Sequence, residues 1–379
     1  MATFKLTGKP VSEDLQNVLQ RLEKGGYVPI EDIESTPELK LARSCINNSI
    51  ATDKLSGREE LQEHVLEQLQ KRGSAVIDSN GRMQYNGDVS NNARLDIVIG
   101  LPGAGKSSAI VDVISNEFHS KIIDNDEAKK LIPEYNNGWG ASVVHDESQR
   151  ISEKQLVISL YNHENIVLPK VGSNPNKMNE IVAMAKTLKY EVNVHFVDLE
   201  REKALGRMLS RFVEEGRFLD PKLIDKYHNN IDGNKIARCY EILKKGGIVD
   251  GYSRWNNDVG KGERPILIEA ECTGEFIRNA RTSEHRTSDN IRNAGRVGNE
   301  RSGSISGRKG KSGIVEKIVK QGDDSKDSSN SQTSRRGTES ARPSIKEKLH
   351  QYQNEVNNKN QHKDDRDISN NHQNRYPER

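Results

Sequence analysis

The sequence predicts an α/β fold: a three-layer domain on a mostly parallel sheet, preceded by N-terminal helices and followed by a disordered C-terminal tail. Three observations carry that prediction. Residues 94–108, RLDIVIGLPGAGKSS, form a short apolar strand that runs through glycines into a helix. Strand-like and helix-like stretches then alternate to about Ala270, the order that builds parallel sheets. From about Gly274 to Arg379, Ser, Asn, Arg, Lys, Asp and Gly dominate, and such a segment buries too little apolar surface to offset its ordering entropy.

Composition fits this division. Of 379 residues only 32% are hydrophobic, and the mean hydropathy is −0.84, too polar for uniform packing. A net charge of +2 names no partner. Cys45, Cys239 and Cys272 are too few and too scattered for a disulfide framework or metal site, which fits a reducing cytoplasm. The N-terminus lacks a signal-peptide apolar core, and no run nears the ~20 residues of a membrane span. A soluble, cytoplasmic protein is therefore expected, with regions at 1–90 (helical), 91–272 (nucleotide-binding) and 273–379 (tail). Counted from Arg278, the tail has 22 basic residues against 14 acidic, a mild excess. No aromatic residues interleave to stack bases, so a solvated tail is favoured over a nucleic-acid contact.

The central motif is Gly100-Leu101-Pro102-Gly103-Ala104-Gly105-Lys106-Ser107-Ser108, which fills every fixed position of the phosphate-binding loop G-x-x-x-x-G-K-[ST]. Glycine lets successive backbone N–H groups converge on phosphate oxygens. Lys106 reaches the β/γ-phosphates, and the Ser107 hydroxyl is placed to ligate Mg²⁺. A helix over Ser107–Phe118 points its N-terminus at the phosphates. The motif predicts binding of a nucleoside triphosphate, ATP with Mg²⁺.

The other elements follow from periodicity. Leu15, Val18, Leu19 and Leu22 share a helical face with Ser12 as N-cap, and Ser56-Gly-Arg-Glu59 reads as a capping box before a second helix. Two Asn-Gly turns, at Asn80 and Asn86, bracket a short hairpin. Strands are expected at 121–124, 165–169, 190–197, 248–250 and 265–268, and helices at 145–161, 177–188, 200–215 and 223–245, with 252–264 as a loop. The Arg211–Arg217 segment, around Phe212-Val-Glu-Glu-Gly216, reads as a mobile lid.

A phosphate loop alone does not choose between GTPases, ATPase motors and kinases. There is no Thr-Lys-x-Asp guanine pocket and no long apolar strand ending in Asp-Glu. Instead Asp124 and Asp126 stand at the C-terminal end of the second strand, where α/β sheets bind ligands. One of them is expected to cap a helix and Asp126 to reach substrate. Arg211 and Arg217 follow late, while Arg207 reads as part of a solvated helix face. A carboxylate to accept a hydroxyl proton and arginines to neutralise a moving phosphoryl group suit phosphoryl transfer.

The phosphate loop, Ile122-Ile-Asp-Asn-Asp126, the 145–156 helix with Glu153, and Arg211…Arg217 together resemble the zeta toxin family, over roughly Asp96 to Ala270. The resemblance implies a P-loop kinase-like fold that phosphorylates the 3′-hydroxyl of UDP-N-acetylglucosamine or a similar UDP-amino sugar. It implies ATP at Gly100–Ser108, Asp126 as proton acceptor, Asp124 and Glu153 on the substrate side, and Arg211 and Arg217 on the phosphates. It also implies a small helical antitoxin as partner. The sequence departs from the family after the third strand, where the usual Glu-Gly-Thr-Gly is replaced by Pro169-Lys-Val-Gly172-Ser173. Lys170 there leaves the acceptor open. Alternatives are a kinase for another hydroxyl, such as a nucleic-acid 5′-end or an antibiotic, or a nucleotide-gated binding protein with a basic tail.

Overall fold

The computed structural model describes residues 2–282 except 48, 230, 261 and 262. The tail expectation beyond 282, including any contact with nucleic acid, lies outside the described residues.

Elements run in the order α1 (Glu13–Glu23), α2 (Ile30–Glu34), α3 (Pro37–Asn47), α4 (Glu59–Gln70), β1 (Ser74–Ile77), β2 (Met83–Gly87) and β3 (Arg94–Ile99). After a π-helical turn at Ser107–Val111 come α5 (Asp112–Phe118), β4 (Lys121–Ile122), α6 (Asn125–Leu131), α7 (His145–Tyr161), β5 (Ile166–Lys170), α8 (Pro175–Thr187) and β6 (Glu191–Asp198). The chain continues with α9 (Arg201–Glu215), α10 (Lys222–Tyr227), β7 (His228–Asn229), β8 (Gly233–Asn234), α11 (Lys235–Lys245), β9 (Gly251–Asn256), β10 (Ile266–Ala270) and, last among the described residues, α12 over 275–282.

Six strands make the central sheet in the order β10-β9-β6-β3-β5-β4, parallel throughout except the β9–β10 edge pair. β3 is buried along its whole length, as a central strand covered on both faces must be. The register pairs Ile99 with Lys170 on one side and Phe196 on the other, so β3 and β5 end level at the phosphate loop while β6 runs on to Asp198. Helices cover both faces, as the alternating sequence predicts.

The N-terminal helices share the main core. Leu15, Val18 and Leu22 pack α1 on α9, and each such burial contributes about 1.5–3 kcal/mol. Ser12 caps α1 by accepting from Leu15 N. Val65 and Leu69 of α4 join Ala128, Ile132, Val144 and Ile151 in a second cluster that braces α6 and α7.

Several local expectations are corrected. The capping box is not formed: Arg58 occupies the cap position, and its guanidinium instead binds Glu134 and the fully buried Glu147. Of the two Asn-Gly turns only the first closes a hairpin, where Asp78 accepts from Asn80 N and Arg82 N; Asn86-Gly87 ends β2. The helix expected at 223–245 is split, because Asn229 and Asp232 form a turn and Asn234 caps a new helix by accepting from Ile236 N and Ala237 N. The fifth strand is 251–256, inside the expected loop, rather than 248–250. Its inward residues Gly251, Ser253 and Trp255 include two without an apolar side chain, so the alternation that signals a strand is missing. Packing also runs past residue 272: Phe276 and Ile277 of α12 are buried in the core.

Candidate functional site

The site is assembled at the C-terminal ends of β3, β4 and β5. Gly100 leaves β3 and the loop folds back with Gly103 at φ +82° and Gly105 at φ +77°. A Cβ on Gly105 would lie 2.5 Å from Asn257 Nδ2, and one on Gly103 would lie 2.4 Å from Ala204 O, so only glycine fits. Asn257, just past β9, donates to Ala104 O at 2.7 Å and props the loop from behind.

Lys106 Nζ donates to Gly100 O at 2.9 Å and Leu101 O at 3.1 Å. Both acceptors are neutral, so the ammonium keeps its charge for a ligand. Burial lowers its pKa to about 8; Asp124 and Asp126 oppose that shift, and Arg217 and Arg211 reinforce it. All four predicted charged groups therefore face Lys106. Ser107 and Ser108 are exposed at the loop rim, and Ser108 Oγ leans back to Gly105 O at 3.4 Å.

Asp124 caps α6 by accepting from Asp126 N at 3.0 Å. Burial and the neighbouring Asp126 charge push its carboxyl above the usual range. Asp126 lies in the first turn of α6, where its carboxylate accepts from Lys129 Nζ at 3.1 Å and pairs with the Arg217 guanidinium. Burial alone would raise Asp126, but Lys129 and Arg217 outweigh it and hold it down to about 2. Arg217 is thus placed on the Asp126 carboxylate, and Arg211 on an exposed face of α9 toward the phosphate loop. Glu153, on α7, accepts from Gln149 Nε2 at 2.9 Å and faces Lys170 at the end of β5.

The mobile-lid expectation for residues 212–216 is corrected. Phe212, Val213 and Phe218 are core residues, Phe4 packs edge-on against Phe212 with ring centroids 4.9 Å apart, and Lys5 N donates to Val213 O at 2.9 Å. Two apolar positions in a row on an amphipathic helix read equally well as a core face or as a lid.

Sequence reasoning missed Arg207 and Asn257. Arg207 Nη2 donates to the carbonyls of Asn257 at 3.0 Å and Val259 at 3.1 Å, beside Gly105, so it is not part of a solvated face. These residues and Gly103, Gly105, Val113, Arg211 and Trp255 line a cavity of about 1150 Å³ that opens onto the loop. The dipeptide Asn256-Asn257 at a strand end was the available signal, hidden because the strand itself was not apparent. The cavity's far wall is Leu19, Leu22 and Glu23 of α1. Among the described residues no cluster of three or more His, Cys, Asp or Glu forms a metal site, and no helix is long and apolar enough to cross a membrane.

No curated protein matches the chain. Among solved structures, a chain of the PezAT chromosomal toxin-antitoxin system of the human pathogen Streptococcus pneumoniae aligns at 14% identity and TM-score 0.41, covering 57% of this chain and 84% of that one. A chain of AvrRxo1-ORF1:-ORF2 with ATP aligns at 13% identity and TM-score 0.36, covering 69% and 73%. The family model described as Zeta toxin matches residues 88–241, the span that holds the phosphate loop, Asp126, Glu153 and Arg217. Over that span the chain resembles the zeta toxin family, as its motifs led us to expect.

Proposed function

We propose that the chain is an ATP-dependent phosphotransferase that moves the γ-phosphoryl group of ATP to a hydroxyl of a small acceptor. A UDP-amino sugar, with UDP-N-acetylglucosamine phosphorylated at its 3′-hydroxyl, is the first acceptor to test. The observation that carries this reading is a phosphate-loop lysine that feels the charge of Asp126, itself paired with Arg217.

The residues suit the nucleotide. The loop takes its close-packed, positive-φ shape only with glycine at 103 and 105, and Lys106 rests on two neutral carbonyls that phosphate oxygens would outcompete. Ser107 would hold Mg²⁺ together with phosphate oxygens, and the cavity beside Asn257 and Arg207 would take the base. The ion would neutralise charge building on the phosphates.

In the transfer, the acceptor oxygen forms a bond to the γ-phosphorus while the bond from that phosphorus to the β,γ-bridging oxygen breaks and ADP leaves. Asp126 takes the acceptor hydroxyl's proton. A carboxylate held near 2 is a weak base, so the Arg217 pair matters. An arriving γ-phosphate competes for Arg217, and Asp126 loses one of the two cations that depress it, Lys129 being the other. The base is thereby freed when the phosphoryl donor is bound. Lys106, Arg211 and Arg217 then spread over the transferring group.

The zeta toxin resemblance also implies an antitoxin protein that covers the nucleotide cavity. A screen of small hydroxylated metabolites for ATP consumption, begun with UDP-N-acetylglucosamine, tests the reading. Phosphorylated acceptor from the wild type, lost in Lys106→Ala together with ATP binding, supports it. ATP bound but never consumed with any acceptor overturns it.

A further inference from the structure

Lys170 is the last residue of β5, paired in register with Ile99, the residue before the phosphate loop begins. It stands where the sequence departs from the zeta toxin pattern, and nothing in the transfer described above uses it. Its side chain makes one long hydrogen bond, to Asn125 Oδ1 at 3.4 Å, a neutral acceptor between the two aspartates. Among the described residues no carboxylate lies within salt-bridge distance of it, although Asp124 and Glu153 face it from further off. Two more deeply buried lysines differ: Lys121 pairs with Glu164 at 2.8 Å and Lys129 with Asp126 at 3.1 Å. Only Lys106 among the site's lysines is likewise held by neutral oxygens. Lys170 at the end of β5 and Lys106 in the loop that follows β3 thus both have donors that pair with no carboxylate among the described residues. Burial disfavours the charge of each, a cost that an anionic ligand would reverse.

We infer that Lys170 is an acceptor-side counterpart of Lys106: it receives an anionic phosphate group carried by the acceptor, beside the hydroxyl that Asp126 deprotonates. The inference rests on the phosphotransferase reading for its catalytic meaning, but the anion site itself does not. It makes Lys170 a specificity-determining residue, selecting acceptors that are themselves phosphate esters over neutral sugars. Lysine suits this as a point charge that needs no fixed planar partner.

The test begins with binding alone. With a non-hydrolysable ATP analogue saturating the phosphate loop, inorganic phosphate is titrated into the full chain by calorimetry. The wild type is expected to retain a second anion site, Lys170→Gln to lose it, and Lys170→Arg to keep it. No second site in the wild type, or one that survives in Lys170→Gln, overturns the inference whether or not the protein is a kinase. Activity then reads selectivity, using N-acetylglucosamine 1-phosphate against its uncharged methyl glycoside. Lys170→Gln is expected to raise KM for the charged acceptor at least about tenfold, with KM for ATP and the neutral acceptor unchanged. An equal loss on both acceptors would assign Lys170 a structural role and contradict the proposal.

Discussion

The central sheet carries two clusters of charged and polar side chains, and only one is open to a ligand. In the sheet interior, Arg94 grips both oxygens of Asp96 at 2.8 Å, Asp96 lies 3.0 Å from His195 Nε2, and His195 Nδ1 lies 2.7 Å from Ser253 Oγ. Trp255 Nε1 completes the chain by donating to Ser253 Oγ at 2.7 Å. Aspartate, histidine and serine stand in line here, yet all three are fully inaccessible and each charge is answered. At the strand ends, Lys106 and Lys170 rest on neutral oxygens, Asp126 is partly exposed, and a cavity opens beside them. Composition does not separate the two clusters. Access and uncommitted donors do, since a buried ionic network closed on itself has nothing left to offer a substrate.

The comparison breaks most visibly if the interior cluster tolerates damage. Asp96→Asn would leave Arg94 with only the half-exposed Glu191 and take the carboxylate from His195, at a cost of about 3–5 kcal/mol read by denaturant unfolding. A loss below about 1 kcal/mol would mean the network is not a stabilising unit. Asp126→Asn should show mainly in the reaction, lowering kcat by about 10²-fold or more while ATP affinity changes little.

How much of this contrast could be read from residues is uneven. The phosphate loop and β3 were legible because glycine spacing and a β-branched apolar run are local signals, and α7 was legible from its stripe of Ile151, Leu156 and Leu160. Asp126 was found because it stands two residues past a capping aspartate at a strand end. By contrast β9 hides its inward face behind Ser253, whose partner His195 is 58 residues away, so neither the strand nor Asn257 beyond it showed. The pairing of Arg217 with Asp126, 91 residues apart, is likewise a product of tertiary packing.

A pH titration sharpens the contrast further. Burial would push His195 down, but Asp96 and Cys272 outweigh it and raise the imidazole to about 9 from an ordinary 6.5. A group raised in the folded state contributes stability that is complete below the unfolded value and lost as pH rises through the folded one. Stability should therefore decline between about pH 6.5 and 9, and His195→Gln should flatten that limb; a flat wild-type profile would deny the shift. The smallest effect expected is at the loop's prop. Asn257→Ala removes one hydrogen bond to Ala104 O and should weaken ATP binding by about three- to tenfold, with folding intact. Unchanged affinity would show that the loop holds its shape without it.

The account turns on Asp126 serving a phosphate donor held by Lys106. Mass spectrometry of UDP-N-acetylglucosamine after incubation with Mg²⁺ and ATP, for wild type and Asp126→Asn with ATP binding measured in parallel, addresses that most directly. A mass increase of one phosphoryl group from the wild type, absent from an Asp126→Asn protein that still binds ATP, is the predicted result. Equal phosphorylated product from both proteins would contradict the role given to Asp126.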